Sequence, residues 1–435
     1  MKLENFRLAC VFLIFKNLSS YFNIKIIIKA FVGALCLANF IYIYIFKSEI
    51  LNLISPFITI FGLFTIIYLP RFGYFWAGFF SGILWFYWIS FSFYYYDLAF
   101  LMPFVILGIA LVYALMFLVA SIPSFVYLRA IMLFLISYIS PFGFNWFNLE
   151  ATLVLGVFRT DEIGLICIFA SAFLLGLKKF YKLTAIMPLV FAIQINSSNT
   201  NFIPFDLALA NTDTKQIHKW DRDYKNHFIN ETLDLINNAI NNKKRAILLP
   251  ESAFPTFIDH ENELMDELKN LSHKITIITG GLAYENKQSF NSTYLFENGD
   301  FKRFDKHILV PFGEEIPLPN FIKKWINKVF FDGASDYMAA SDIGEYEIDG
   351  IKIRNAICYE ATHKSIYKDN PKIVFAITNN GWFKIGNIIS TEPILQSLLL
   401  KHYATKFHTT IYHSVNGSQS EIITPKKSYL NFKEF

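Results

Sequence analysis

Residues 1–196 leave this chain little choice of solvent. They carry seven apolar stretches, at about 26–46, 50–69, 73–95, 98–121, 123–141, 161–177 and 182–196. Roughly 20 apolar residues cross a bilayer core, so these read as seven membrane spans, the last two short. The whole chain is 54% hydrophobic, with 48 Phe in 435 residues and a mean hydropathy of +0.37, too apolar for one soluble globule. Pro123, Pro141 and Pro188 fall at or inside span edges, where a membrane helix tolerates proline. Trp85, Tyr87, Trp88, Tyr94, Tyr95 and Tyr96 cluster as an interfacial aromatic belt does. Ahead of the spans, residues 5–16 are apolar but broken by Arg7, and no small-residue cleavage site follows. That stretch reads as a cytoplasmic or interfacial lead-in rather than a signal peptide.

Loop charges set an orientation. Lys16, Lys25 and Lys29 precede the first span, Arg71 follows the second, and Lys178, Lys179 and Lys182 follow the sixth. With seven spans these all fall on one side, and the opposite loops are poor in Lys and Arg. The positive-inside rule therefore puts the N-terminus in the cytoplasm and residue 197 onward outside.

Residues 197–204 read as a polar linker. From 205 to 425 the pattern changes to short apolar runs alternating with amphipathic ones. Strands are expected at 205–210, 245–249, 275–279, 293–297, 306–310, 351–357, 372–377 and 409–414, and helices at 222–241, 260–272 and 391–406. Such alternation implies a layered α/β fold. The tail, 426–435, is too short and polar to span. Net charge is +4, with no Lys/Arg block, which argues against a nucleic-acid partner. His307, His363, His402, His408 and His413 form no ligand-spaced set, so no metal or other cofactor is expected. Of the four cysteines, only Cys358 lies in the polar half, so its thiol has no disulfide partner there.

Three apolar runs end on chemistry. Ala246–Leu249 ends at Pro250-Glu251. The run at 306–310 carries Lys306 and leads into Val310-Pro311-Phe312-Gly313-Glu314. Ile351–Ile357 ends at Cys358-Tyr359-Glu360. A thiol at a strand end is by itself ordinary core. Together, the carboxylate can take the thiol proton, and the ammonium can stabilise both a thiolate and an oxyanion.

These motifs, in this order, resemble the nitrilase superfamily and, more narrowly, its membrane-bound branch, the apolipoprotein N-acyltransferases. The resemblance covers about residues 205–425 by motif and the rest by hydropathy. It implies a multi-pass α-helical membrane domain joined to a nitrilase-like α-β-β-α sandwich. It implies Glu251 as general base, Lys306 as electrostatic stabiliser and Cys358 as nucleophile. Glu314 would orient the lysine, and Tyr359 and Glu360 would shape the pocket. Trp220 and Trp382 match family aromatics near the cleft, although Asn380-Gly381 departs from the acid usually found before the small residue. The implied partners are a phospholipid acyl donor, a diacylated apolipoprotein acceptor and the lipid bilayer. The implied place is the bacterial inner membrane, with the catalytic domain periplasmic. The family commonly closes with a final membrane helix, which 426–435 does not match. Loops at 254–258, 316–331 (with Trp325) and 382–389 are expected to ring the cleft. Two other readings stay open: a membrane-anchored amidase or nitrile hydrolase, which hands the acyl group to water, and a transporter with an extramembrane domain. The spans carry few ionisable residues, which weighs against the last.

Overall fold

The structure, a computed structural model, describes residues 22–178, 181–195, 200–321, 323–324 and 337–426. The expected lead-in at 5–16, Trp325 and the tail beyond Lys426 lie outside the described residues.

The membrane module begins with α1 (Ile24–Tyr44), α2 (Glu49–Ile67) and α3 (Arg71–Phe86), followed by α4 (Met102–Ala120), α5 (Val126–Ile136), α6 (Glu162–Leu175) and α7 (Ile186–Ala192). Among the described residues, four stretches are long and apolar enough to cross a membrane: Ile24–Tyr44, Glu49–Ile67, Ala99–Ala120 and Val126–Gly143. The expected span at 73–95 is divided. Its second half, Tyr87–Tyr96, winds as a 3-10 helix. Side chains there compete for the backbone: Trp88 Nε1 donates to Trp85 O (2.7 Å), Ser90 Oγ to Tyr87 O (2.8 Å) and Ser92 Oγ to Ile89 O (2.9 Å). The expected spans at 161–177 and 182–196 shorten to α6 and a stretch ending in α7. The 14 residues of α6 rise only about 21 Å at about 1.5 Å each, less than the bilayer core. Asp161 starts α6 by accepting from Gly164 N (2.8 Å).

Polar and small residues glue these helices, since burial alone gives little drive inside lipid. Ser55 Oγ donates to Asn39 Oδ1 (2.7 Å), and Asn39 Nδ2 donates to Thr59 Oγ1 (2.9 Å), locking α1 to α2. Gly78 lets α3 approach α4. A Cβ there would lie 2.3 Å from Tyr113 O and 2.8 Å from Phe117 Cβ. Gly78→Val is therefore expected to force the helices apart, costing about 1–3 kcal/mol as overpacking does. Thermal unfolding of the purified variant in detergent checks this; an unchanged midpoint would contradict the packing.

The second module pairs two sheets. Its elements run β1 (Leu207–Leu209), β2 (Asn211–Thr212), α8 (Gln216–Lys219), α9 (Lys225–Asn241), β3 (Ala246–Leu248), α10 (Asn262–Ser272), β4 (Thr276–Glu285), β5 (Gln288–Glu297) and β6 (Asp300–Asp305). Then follow β7 (Glu345–Ile348), β8 (Ile351–Ile357), β9 (Ile373–Asn379), α11 (Glu392–Phe407), β10 (Thr410–Asn416) and β11 (Glu421–Ile423). One sheet has the order β1-β3-β4-β5-β6; the other is β11-β10-β9-β8-β7, with β2 on β10. Leu248, Ile278 and Leu295 of the first sheet pack on Ile353, Ile357, Phe375 and Ile377 of the second. Outside the first sheet, Leu233 and Ile236 of α9 and Leu264 and Leu268 of α10 cover Ile247 and Ile277. Outside the second, Leu400 and Ala404 of α11 cover Val374 and Ala376. The layering is α-β-β-α.

The strand expected at 306–310 is corrected. The strand is β6, which ends at Asp305, and Lys306 opens the loop after it. The reason is a hairpin: Asn298 and Gly299 both take positive φ (54° and 84°), the two-residue turn that suits strand twist, so β5 returns as β6 with exposed polar residues alternating along it.

The modules meet at the loop 141–160, which is built into both. Asn145 Nδ2 donates to Thr362 O (2.9 Å), and Trp146 Nε1 to Thr362 Oγ1 (2.6 Å). Glu150, 1% exposed, accepts from Tyr138 Oη (2.9 Å) and from Lys406 Nζ of α11 (2.6 Å). Lys426, assigned from sequence to the polar tail, is buried, and its Nζ donates to Leu153 O (3.1 Å) and Phe158 O (2.8 Å). The seam is thus closed by buried hydrogen bonds, the Glu150–Lys406 pair among them charge-assisted, rather than left as a hinge.

Candidate active site

Glu251, Lys306 and Cys358 each sit just after a strand stops. Glu251 follows β3 and the rigid Pro250. Gly280 on the neighbouring β4 makes room for it, since a Cβ there would lie 2.6 Å from Glu251 Cα. Cys358 ends β8 with φ 54°, a left-handed conformation that L side chains seldom adopt. Such strain persists only where surroundings hold it. Glu360 does the holding. One carboxylate oxygen accepts from Ile357 N (2.9 Å), and the other from His307 N (2.9 Å) and Ile308 N (3.3 Å). One buried carboxylate thereby fixes the turn under Cys358 to the loop that presents Lys306.

Lys306 is 0% exposed, and its Nζ lies 2.6 Å from Glu314 Oε2. Glu314 is itself fixed, accepting from Val310 N (2.9 Å) and from Asn291 Nδ2 (2.8 Å). Asn291 is the bridge, because the same Nδ2 donates to Glu251 Oε1 (2.7 Å). The other oxygen of Glu251 accepts from Asn379 N (2.8 Å) at the end of β9. The carboxylate, the ammonium and the second carboxylate form one buried, hydrogen-bonded chain, and their fields act on Cys358.

The electrostatics select a protonation pattern. Burial pushes the Cys358 thiol well up, and the charge of Glu251 adds to this while Lys306 opposes it. At rest the group is a thiol and needs a base. Burial also raises Glu251 above the usual carboxylate range, against Lys306 and with Glu314, which makes it a better proton acceptor. Burial works against the Lys306 ammonium, but Glu314, Cys358 and Glu251 outweigh it and keep the lysine charged. The acylation rate should therefore fall on the acid side with a midpoint above the ordinary 4.5 of glutamate, because protonated Glu251 cannot accept the thiol proton. Glu251→Gln should slow acylation by roughly 10²–10⁴-fold and flatten that limb. Single-turnover acylation followed from pH 4 to 8 checks both; an unchanged acid limb in Glu251→Gln would assign it to another group.

Tyr359 reaches away from the thiol into the module seam. Its hydroxyl donates to Gly143 O (2.9 Å) and accepts from Asn145 N (3.1 Å), and its ring stacks on Phe144 (5.6 Å, 10°). Trp220 and Trp382 come together in a different place, a cleft between the modules that Tyr94 and Tyr95 also line. Trp382 stacks on Tyr96 (5.5 Å, 15°). The departure at Asn380-Gly381 forms a 3-10 turn, with Asn379 Oδ1 accepting from Gly381 N (3.2 Å). Of the expected cleft loops, 382–389 touches the membrane module: Tyr87 Oη donates to Ile389 O (2.9 Å), and Phe383 packs edge-on to Trp88.

Sequence reading missed three polar residues. Asn291 falls in the half of β5 outside the expected 293–297. Lys219, 2% exposed, donates to Glu251 O (3.4 Å), and burial holds its pKa down to about 8. Glu392 is 1% exposed at the start of α11, and burial, with the charge of Glu251, pushes its carboxyl well above the usual carboxylate range. A polar residue at an inward position of a strand was the available signal for Asn291; the helix positions of the other two carried none.

The fold and the cluster define a class: a membrane-embedded protein whose α-β-β-α module gathers a thiol, a buried carboxylate and a buried ammonium at its strand ends. Residues 24–195 match the family model described as the apolipoprotein N-acyltransferase integral membrane domain. The apolipoprotein N-acyltransferase of Wolinella succinogenes is 39% identical over 399 residues, 91% of this chain and 95% of that protein. That of Campylobacter jejuni is 38% identical over 418 residues, 95% of this chain and 92% of that protein. Among solved structures, a CN-hydrolase superfamily protein from Xanthomonas campestris is 12% identical, with 49% of this chain and 77% of that one covered at a TM-score of 0.37. An amidase from Nesterenkonia is 13% identical, with 53% and 84% covered at the same TM-score. Neither superposition is close enough to carry weight beside the sheet order of the chain itself. The chain belongs to the apolipoprotein N-acyltransferase family.

Proposed function

We propose that Cys358 carries a fatty acyl group from a membrane phospholipid to the α-amine of an S-diacylglyceryl cysteine at the N-terminus of an apolipoprotein. Glu251 takes the thiol proton as Sγ attacks the ester carbonyl. The oxyanion develops beside the Lys306 ammonium, whose protons beyond the Glu314 ion pair meet no hydrogen-bond acceptor among the described residues. Glu251 then returns the proton to the departing alkoxide, releasing a lysophospholipid and leaving a thioester. In the second half, the amine attacks the thioester carbonyl, Glu251 accepts the amine proton, and the thiol re-forms with the amide product. This is two-step covalent catalysis. The observation that carries the reading is the Glu251–Asn291–Glu314–Lys306 chain, buried and fully oriented, next to a thiol held in a strained turn. Membership of an acyltransferase family and the tight seam with a membrane module favour lipid over water-soluble substrates.

The same reading puts the α-β-β-α module on the periplasmic face of the inner membrane, after seven crossings. A reporter fused after Ser198 is expected to be active in the periplasm, and one after Lys179 in the cytoplasm. Cytoplasmic activity of the Ser198 fusion would put the site on the wrong side for exported lipoproteins.

A further inference from the structure

The short helix α8 inverts the usual pattern of a surface element. Its apolar Ile217 is 58% exposed and the following Trp220 is 40% exposed, while Gln216 and Lys219 are 5% and 2% exposed. Lysine is almost never this buried without a partner. Residues three apart share one helix face, so Gln216 and Lys219 form the inward face of α8. Both lead to Glu251. Gln216 Oε1 accepts from Asn379 Nδ2 (3.0 Å), and Asn379 N donates to Glu251 Oε2 (2.8 Å). Lys219 Nζ donates to Glu251 O (3.4 Å). That bond is longer than an ordinary hydrogen bond and does little to offset the burial of an ammonium.

Charge accounts for it. The buried cluster holds two carboxylates, Glu251 and Glu314, and Lys306 lies 2.6 Å from Glu314. The Glu251 oxygens accept from amide donors, Asn291 Nδ2 and Asn379 N. Burial raises the Glu251 carboxyl; Lys306 opposes this, Glu314 adds to it, and the Asn291 bond and Lys219 oppose it. The other titratable groups acting with Glu251 are Cys358 after β8, Glu392 at the start of α11 and Tyr337, whose N donates to Glu314 O (3.1 Å). None of those three is a cation, so Lys219 is the second ammonium set against the second carboxylate. Burial holds Lys219 itself down to about 8, against the charge of Glu251. Below pH 8 it therefore carries its charge, and that is the range in which protonation of Glu251 limits the rate. We propose that Lys219 is a positioning residue for Glu251, a second buried ammonium that keeps the general base ionised while Lys306 is committed to Glu314. The proposal rests on the reading of Glu251 as the base and adds the group that sets its working range.

The test mixes full-length protein, purified in detergent, with excess phospholipid and follows acyl-Cys358 by intact mass in single turnovers from pH 4 to 9. Removing a cation raises the Glu251 carboxyl further, so less of the base is ionised at a given pH. The acid limb of Lys219→Met is therefore expected to move up by about one pH unit, the lower end of what one nearby charge does. Below both midpoints that is a loss of about tenfold in rate, and it should shrink as the pH rises. Lys219→Arg keeps a cation at every pH and should return the midpoint to its wild-type position. Methionine matches the lysine stem and removes a buried charge, so the fold should stand, and thermal unfolding checks it. Lys219→Gln, which keeps a donor for Glu251 O and drops the charge, should shift the limb in the same direction and decides the matter where methionine does not fold. A midpoint that stays in place in the folded neutral variants, or a loss of equal size at every pH, would overturn the assignment. A wild type without an acid limb, or an unchanged limb in Glu251→Gln, would instead remove the reading of Glu251 as the base.

Discussion

Cys358→Ala is expected to abolish N-acyl transfer and to leave no acylated enzyme under any lipid condition. The loss should be about 10⁵–10⁶-fold, the scale seen when a covalent nucleophile is removed from a constellation that acts as a unit. The fold should survive, because alanine is the smaller side chain and Glu360 bonds the turn through Ile357 N rather than through the thiol. The variant should therefore be recovered from membranes in normal yield, with the 141–160 seam intact. Residual transfer near the wild-type rate, measured with a diacylated lipopeptide acceptor, would exclude covalent catalysis through this thiol.

The second large effect concerns Lys306. Lys306→Met removes a buried cation and leaves Glu314 without its ion pair. Breaking a buried pair by deleting one partner typically costs about 3–5 kcal/mol, because the other charge stays buried. Glu314 would keep Val310 N and Asn291 Nδ2, so part of its carboxylate remains satisfied. In rate terms, the loss of one oxyanion donor is worth about 10²–10³-fold, and here it should appear in both half-reactions. Glu314→Gln separates the two roles. It keeps the amide-sized side chain and removes the charge, so Lys306 should still be present but less firmly placed. Thermal unfolding and separate single-turnover measurements of loading and discharge check the pair. If Lys306→Met slowed only loading, the ammonium would not serve the second oxyanion.

Much of this was legible in the sequence because it depends on local rules. An apolar run that stops at Pro250-Glu251 or at Cys358 is a strand end by pattern, and strand ends carry groups toward a cleft. The helices near 222–241, 260–272 and 391–406 followed from apolar spacing, and the structure places them within a few residues. What escaped depends on partners far along the chain. Asn291 looks like any polar strand residue until Glu251 and Glu314 are placed on either side of it. Lys219, at the end of a short helix, and Glu392, at the start of a long one, look like surface charges, yet both are buried near Glu251 by packing that no local pattern encodes. The strand β6 was missed because exposed, alternating polar residues give it little apolar signal, although the Asn298-Gly299 turn announced the hairpin. The break at Tyr87 escaped for a different reason: hydropathy measures how apolar a segment is, not whether serine and tryptophan side chains compete for its carbonyls.

The strain at Cys358 and the brace at Glu360 also bear on dynamics. The Lys306 loop and the Cys358 turn share one carboxylate, so movement of either is transmitted to the other through Glu360. The seam opposes large displacement of the whole module, since the Glu150–Lys406 pair is buried and charge-assisted and Lys426 Nζ is bonded to two buried carbonyls. The loop 382–389 is likewise packed on the membrane module, through Tyr87 and Trp88.

The most direct measurement is intact-mass analysis of purified enzyme in phospholipid, first without and then with a diacylated lipopeptide. Acylation through Cys358 predicts a thioester-linked fatty acyl mass on the peptide containing Cys358, accumulating without lipopeptide and discharging on its addition as an N-acylated product. Rapid release of free fatty acid without lipopeptide, or an unmodified Cys358 throughout, would contradict it.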